Sequence, residues 1–178
     1  LDGIRAALPY LSDLGVTVLH LTPIWQSRSA HRYDSTDPLT VDPALGGEAA
    51  LRRLLDAAER LGLRILLDIT LTHVSRDFLP FCDVRLRGPE SPYADWFHFH
   101  RWPFSDGPSP GYEHYQHGQW DEPLLRTDHP DVATYLLRVL LHYLSLGVAG
   151  FRLDSAADVS VELLSLLSQG VRAVRKDA

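Results

Sequence analysis

Gly147-Val148-Ala149-Gly150-Phe151-Arg152-Leu153-Asp154 is the stretch on which the fold turns. Its first five residues are apolar or glycine, the pattern of a short strand covered on both faces. Charge follows at once. Arg152 and Asp154 stand two apart, which on a strand puts them on one side. Paired charges where a buried strand leaves the core usually face a ligand. Upstream, Pro130 suits the first turn of a helix carrying Val132, Leu136, Val139, Leu140 and Tyr143, and Gly147 ends that helix. Downstream, Val161, Leu164, Leu167, Val171 and Val174 repeat at helical spacing. The same helix, glycine and strand unit occurs twice more. Ile4, Ala7, Leu8, Leu11 and Leu14 form a stripe closed by Gly15 before Val16-Thr17-Val18-Leu19-His20-Leu21. Leu51, Leu54, Leu55, Ala58 and Leu61 form another, closed by Gly62 before Leu63-Arg64-Ile65-Leu66-Leu67-Asp68. Helices alternating with apolar strands predict an α/β fold, a parallel sheet wrapped by helices. A further strand is expected at 33–41 from its place between two helices, although Pro38 limits its ladder bonding.

Between 74 and 128 this alternation stops. The segment holds most of the prolines and aromatics, Trp96, Trp102, Trp120, Tyr93, Tyr112 and Tyr115 among them, and shows no sustained period. A structureless loop of that length is improbable inside a compact domain unless it is a functional excursion, so it reads as an inserted subdomain. The organisation expected is therefore 1–74, an insertion at 75–128, and a continuation at 129–178.

Composition narrows the partner. The 178 residues are 45% hydrophobic and 22% charged, an ordinary globular balance with enough chain for one core. A net charge of -6 without a lysine or arginine run argues against nucleic acid and against a membrane surface. Cys82 is the only cysteine, so no intrachain disulfide can form, and no uninterrupted apolar stretch reaches bilayer length. The sequence contains no methionine and Leu1 opens inside a helical pattern, which predicts a longer natural polypeptide. His98 with His100, and His114 with His117, have spacings that permit metal binding, yet no cysteine or carboxylate pattern completes a site.

Several segments, taken in order, carry a family resemblance. Leu21-Thr22-Pro23-Ile24-Trp25, His31-Arg32-Tyr33-Asp34-Ser35-Thr36-Asp37 and Asp42-Pro43-Ala44-Leu45-Gly46-Gly47 resemble the early catalytic domain of an α-amylase superfamily glycoside hydrolase. Asp68-Ile69-Thr70-Leu71-Thr72-His73 resembles that family's first signature, and Gly150 to Asp154 its second. Tyr93-Ala94-Asp95-Trp96-Phe97-His98 and the helix start at Asp128-His129-Pro130-Asp131-Val132 look most like the neopullulanase, cyclomaltodextrinase and maltogenic amylase branch.

The resemblance implies a (β/α)8 TIM barrel, present in part as about strands 1–4, with domain B inserted after strand 3. It implies retaining chemistry on the α-glucosidic bonds of maltooligosaccharides, cyclodextrins, pullulan or starch, and the homodimer typical of that branch for the full-length protein. Asp154 is then the nucleophile, and Arg152 beside it favours the ionised carboxylate. Asp68 anchors Arg152, His73 hydrogen-bonds the sugar at the cleavage point, and Tyr33 is a platform for its ring. Retaining glycosidases need a second, acidic carboxyl group about 5 Å from the first. The family's glutamate acid and its later aspartate are expected beyond Ala178, so the 178 residues alone are expected to be inactive and prone to aggregate. Glu162 is expected within a helix, not at a strand end. Thr72 stands where the family has an asparagine that often serves calcium, which puts such an ion in doubt; no cofactor is expected.

Plainer readings stand beside these. Arg152 with Asp154 is also what a surface ion pair looks like, and Asp68 with Arg152 what a structural pair at a barrel rim looks like. His73 singly reads equally well as a satisfied rim histidine, and Tyr33 as packing. A noncatalytic carbohydrate-binding relative is the alternative function. A barrel enzyme using phosphate or a Schiff base finds no strand-end lysine or glycine-rich phosphate loop here.

Overall fold

The computed structural model describes residues 1–115 and 119–177. Helix α1 (Asp2–Asp13) leads into strand β1 (Val18–Leu21), and a hairpin of β2 (Trp25–Ser27) and β3 (Ser35–Val41) follows. Helix α2 (Gly47–Arg60) then returns the chain to β4 (Arg64–Thr70). After a long excursion containing the short helix α3 (Leu79–Arg87), helix α4 (Pro130–Leu146) leads to β5 (Gly150–Asp154), and α5 (Val161–Val174) ends the ordered elements. No helix among the described residues is long and apolar enough to cross a membrane.

Strands β1, β4 and β5 form a parallel sheet in that order. Val18 aligns with Arg64 across the first pair, and Leu66 with Gly150 across the second. The stretch 33–41 departs from its expected place. Its strand β3 pairs antiparallel with β2, outside the parallel sheet, which therefore has three strands. The reason is visible in β4: β1 occupies one of its edges and β5 the other, leaving no slot for a fourth strand between them. Pro38, which lacks a donor, is tolerated in the short and irregular hairpin ladder.

Helices α2 and α4 bury most of the faces their periodicity indicates, whereas of the α1 stripe only Leu8 is buried, and Leu14 and Leu61 are exposed. In α2 the buried residues are Leu51, Leu54, Leu55 and Ala58, and in α4 Val132, Leu136, Val139, Leu140 and Tyr143. Helix α5 departs from its expected stripe. Leu163, Leu167 and Val171 are buried, whereas Val161 and Val174 face outward. Strand β5 is also less covered than the apolar run suggested. Gly150 is buried, but Phe151 and Leu153 are only half-buried. The 74–128 excursion holds one helix that periodicity did not predict, α3, together with isolated bridges and an aromatic cluster. Phe81 is its centre, with the rings of Phe97, Phe104 and Tyr112 between 4.9 and 5.7 Å away. These side chains join the sheet and helix residues in one continuous apolar core.

Candidate active site

The parallel register sets the site. Asp68 on β4 lies directly across from Arg152 on β5, and Thr70 across from Asp154. Arg152 Nη1 donates to both carboxylate oxygens of Asp68, each at 3.0 Å, and to Asp154 Oδ1 at 2.6 Å. One guanidinium thus ties the two carboxylates together, and the ion pairs raise its affinity for the proton. Asp68 is 1% exposed, so its charge needs partners, and it has more than Arg152. The Tyr33 hydroxyl donates to Asp68 Oδ2 at 2.9 Å, and His20 Nε2 lies 3.3 Å from the same oxygen. Burial, and then the bond to Asp68, push the Tyr33 phenol above its usual range.

Tyr33 reaches this position from a tightly tied loop. Arg32, which precedes it, has φ 65, a conformation that costs a residue with a Cβ about 1–2 kcal/mol. The loop offsets that cost. Arg32 donates from Nε to Asp42 at 2.9 Å and from its backbone to Ser29 Oγ at 3.0 Å. Asp34 accepts from the hydroxyls of Ser27 and Ser29, and His31 stacks on the Tyr33 ring.

Asp154 is the last residue of β5, and its second oxygen is held from the other side. Ser155 Oγ lies 3.2 Å from Asp154 Oδ2 and 3.1 Å from the Tyr115 hydroxyl. The Tyr115 ring in turn stacks on His73 at 4.1 Å. His73 is 2% exposed, with Nδ1 3.0 Å from Thr72 Oγ1 and Nε2 3.9 Å from Glu122. Burial is the chief reason its basicity falls to about 4, so the imidazole is neutral near pH 7. Glu122 moves the other way. Burial first, then Asp34 and Asp121, raise it to about 7.

All five residues singled out in the sequence, Tyr33, Asp68, His73, Arg152 and Asp154, therefore meet in one network. His73 joins it beneath Tyr115, with no open face toward solvent. Sequence reasoning missed His20, Tyr115, Glu122 and Ser155. For His20 a signal existed, since it is a polar residue near the end of an apolar strand, and for Ser155 its place beside Asp154 was one; for Tyr115 and Glu122, contacts distant in sequence decide. Thr72 and Tyr115 line a depression of about 470 Å³ that also contains Asp158. The Thr72 hydroxyl, standing where the family's asparagine is expected, is engaged with His73 Nδ1 at 3.0 Å. Among the described residues no group of three His, Cys, Asp or Glu is arranged to hold a metal. His114, with His98 and His100, is described, whereas His117 lies outside the described residues.

Two carboxylates bridged by a guanidinium at parallel strand ends can present one oxygen nucleophile in a fixed orientation. Known proteins match the chain along nearly its whole length. Residues 1–166 match the family model for the alpha amylase catalytic domain. Neopullulanase 2 from Thermoactinomyces vulgaris is 38% identical over 178 residues, all of this chain and 30% of that protein. A cyclomaltodextrinase from Thermoanaerobacter pseudethanolicus is 35% identical over 179 residues, again all of this chain and 31% of its own length. The crystal structure of an acarbose-soaked debranching enzyme from Nostoc punctiforme superposes with a TM-score of 0.93 at 35% identity, covering 98% of this chain and 38% of that one. The chain thus spans about a third of the length of the relatives it matches, and its three parallel strands with their helices are part of the α/β barrel of these enzymes. On the matched residues and on these identities, the chain belongs to the alpha-amylase catalytic domain family.

Proposed function

We propose that these residues supply the nucleophile side of a retaining glycosidase acting on α-glucans, oligosaccharide or polysaccharide. The observation that carries the reading is the Asp68–Arg152–Asp154 bridge at the ends of adjacent parallel strands. In this reading Asp154 attacks the anomeric carbon, and Arg152, bonded to its Oδ1, keeps the carboxylate aimed. Asp68 holds Arg152, and Tyr33, fixed by its hydroxyl, offers its ring to the sugar. His73, the residue expected to meet the sugar, lies beneath the stacked Tyr115 ring and bears on the site through it. The acid that protonates the leaving group is contributed from outside the 178 residues, in a full-length protein that pairs as a homodimer.

The names of the relatives support a substrate among cyclodextrins, pullulan and maltooligosaccharides. The test is hydrolysis of these sugars by the full-length protein and by its Asp154→Asn variant. Turnover is expected in the first and a loss of at least about 10³-fold in the second, since a missing nucleophile leaves only the remaining stabilisation. The burial of His73 favours a second reading, a relative that binds sugar without cleaving it. Sugar bound by a wild-type protein that does not turn over would establish that reading and sink the first.

A further inference from the structure

We infer that Ser155 and Tyr115 are positioning residues for the nucleophile, a chain of two hydroxyls that fixes the second oxygen of Asp154 from the 75–128 segment. The inference rests on Asp154 acting as proposed above. Arg152 holds only Oδ1 of Asp154, at 2.6 Å. A carboxylate tied by one oxygen can still turn about its Cβ–Cγ bond. Ser155 Oγ, 3.2 Å from Oδ2, removes that freedom.

The direction of donation follows from proton counting. A serine hydroxyl has one hydrogen, and the ionised carboxylate can only accept. The Ser155 proton therefore points to Asp154, and the 3.1 Å contact with Tyr115 is a bond that Tyr115 donates. Each bond polarises the next, so the tyrosine hydroxyl strengthens what the serine gives.

Both hydroxyls are held in place. Tyr115 stacks on His73 with the rings 19° from parallel, and its backbone N–H donates to the Glu122 carbonyl at 2.9 Å. Ser155 has φ 50 and ψ 33, a left-handed conformation that residues with a Cβ rarely keep without a reason. The one other non-glycine residue at positive φ among those described is Arg32, next to Tyr33. The turn at Ser155 ends β5 immediately after Asp154 and leaves Oγ within reach of both partners.

The test uses the full-length protein and 5-fluoro-α-glucosyl fluoride. In this reagent attack by the Asp154 carboxylate forms the oxygen–C1 bond as the C1–fluorine bond breaks, and fluoride leaves without help from an acid. The rate of covalent labelling, read by mass spectrometry, therefore reports nucleophilic attack alone. Ser155→Ala is expected to label roughly tenfold more slowly at an unchanged half-saturating concentration, the size of one lost bond to a charged group. Tyr115→Phe, which keeps the ring on His73, should be slower by roughly threefold. The double variant should be no slower than Ser155→Ala alone, because the two act through one bond to Asp154. A merely structural role would give additive losses. Additive effects, or wild-type labelling by Ser155→Ala, would overturn the inference. A wild-type protein that takes no label removes the nucleophile itself, and with it this inference.

Discussion

Glu122 and His73 sit 3.9 Å apart with their proton affinities displaced in opposite senses. Glu122, raised to about 7 from an ordinary 4.5, keeps in the folded state a proton that the unfolded chain has lost. Its contribution favours folding below pH 4.5 and is lost as pH rises through 7. His73, lowered to about 4 from 6.5, gives a contribution that is full above pH 6.5 and lost as pH falls toward 4. Near pH 5.5 folding adds a proton at Glu122 and excludes one at His73, so the two cancel. Glu122→Gln removes one side of that balance. The variant is expected to gain stability relative to wild type as pH rises from 4.5 to 7, by about 3 kcal/mol, read from urea midpoints of the full-length protein. A difference that stays flat with pH would refute this. Such a pair was invisible in the sequence, because 48 residues separate its members and both shifts come from burial. Asp68, Arg152 and Asp154 were legible for the opposite reason. Spacing along a strand fixes which side a residue takes, and two neighbouring parallel strands then need only their register to bring Asp68 across from Arg152.

At the scale of elements, the glycine stops read most clearly. Gly147 closes α4 at φ 109, and its amide caps the helix by donating to the Leu144 and Tyr143 carbonyls. A Cβ there would meet only Leu55 Cδ1, at 3.9 Å, which is ordinary contact. The cost of Gly147→Ala is therefore conformational, about 1–2 kcal/mol, and should appear as a melting temperature lowered by several degrees with the fold unchanged. A variant as stable as wild type would show that the left-handed cap is dispensable. The elements that escaped the sequence reading had no period to show. In β3 the buried residues are Ser35, Pro38 and Val41, every third position, because the hairpin ladder shifts register twice against β2. In α3 only Phe81 and Val84 are buried, while Leu79 and Leu86 are 73% and 86% exposed. Apolar residues on all sides of a nine-residue helix make no stripe. Its burial is decided by the aromatic cluster of its own segment.

At the scale of the whole molecule, the sheet has two open sides. Strand β4 is paired on both edges, but β1 and β5 each pair only with it, so among the described residues both outer edges keep unused donors and acceptors. A barrel closes such edges onto further strands; an open arc presents them to another chain. The flanking helices add apolar surface. On α1 and the residue that follows it, Tyr10 and Leu14 are 67% and 65% exposed, and on α5 Val161 and Val174 are 72% and 66% exposed. Open edges and exposed apolar helix faces act together, since a second copy can cover both at once. The 178 residues expressed alone are therefore expected to self-associate at micromolar concentration and to lack turnover. Light scattering coupled to size exclusion, run beside a maltooligosaccharide assay, checks both statements. A monomeric, cooperatively melting and active 178-residue chain would mean that the edges of β1 and β5 are protected by the chain itself, and that Asp154 finds its acid partner within these residues.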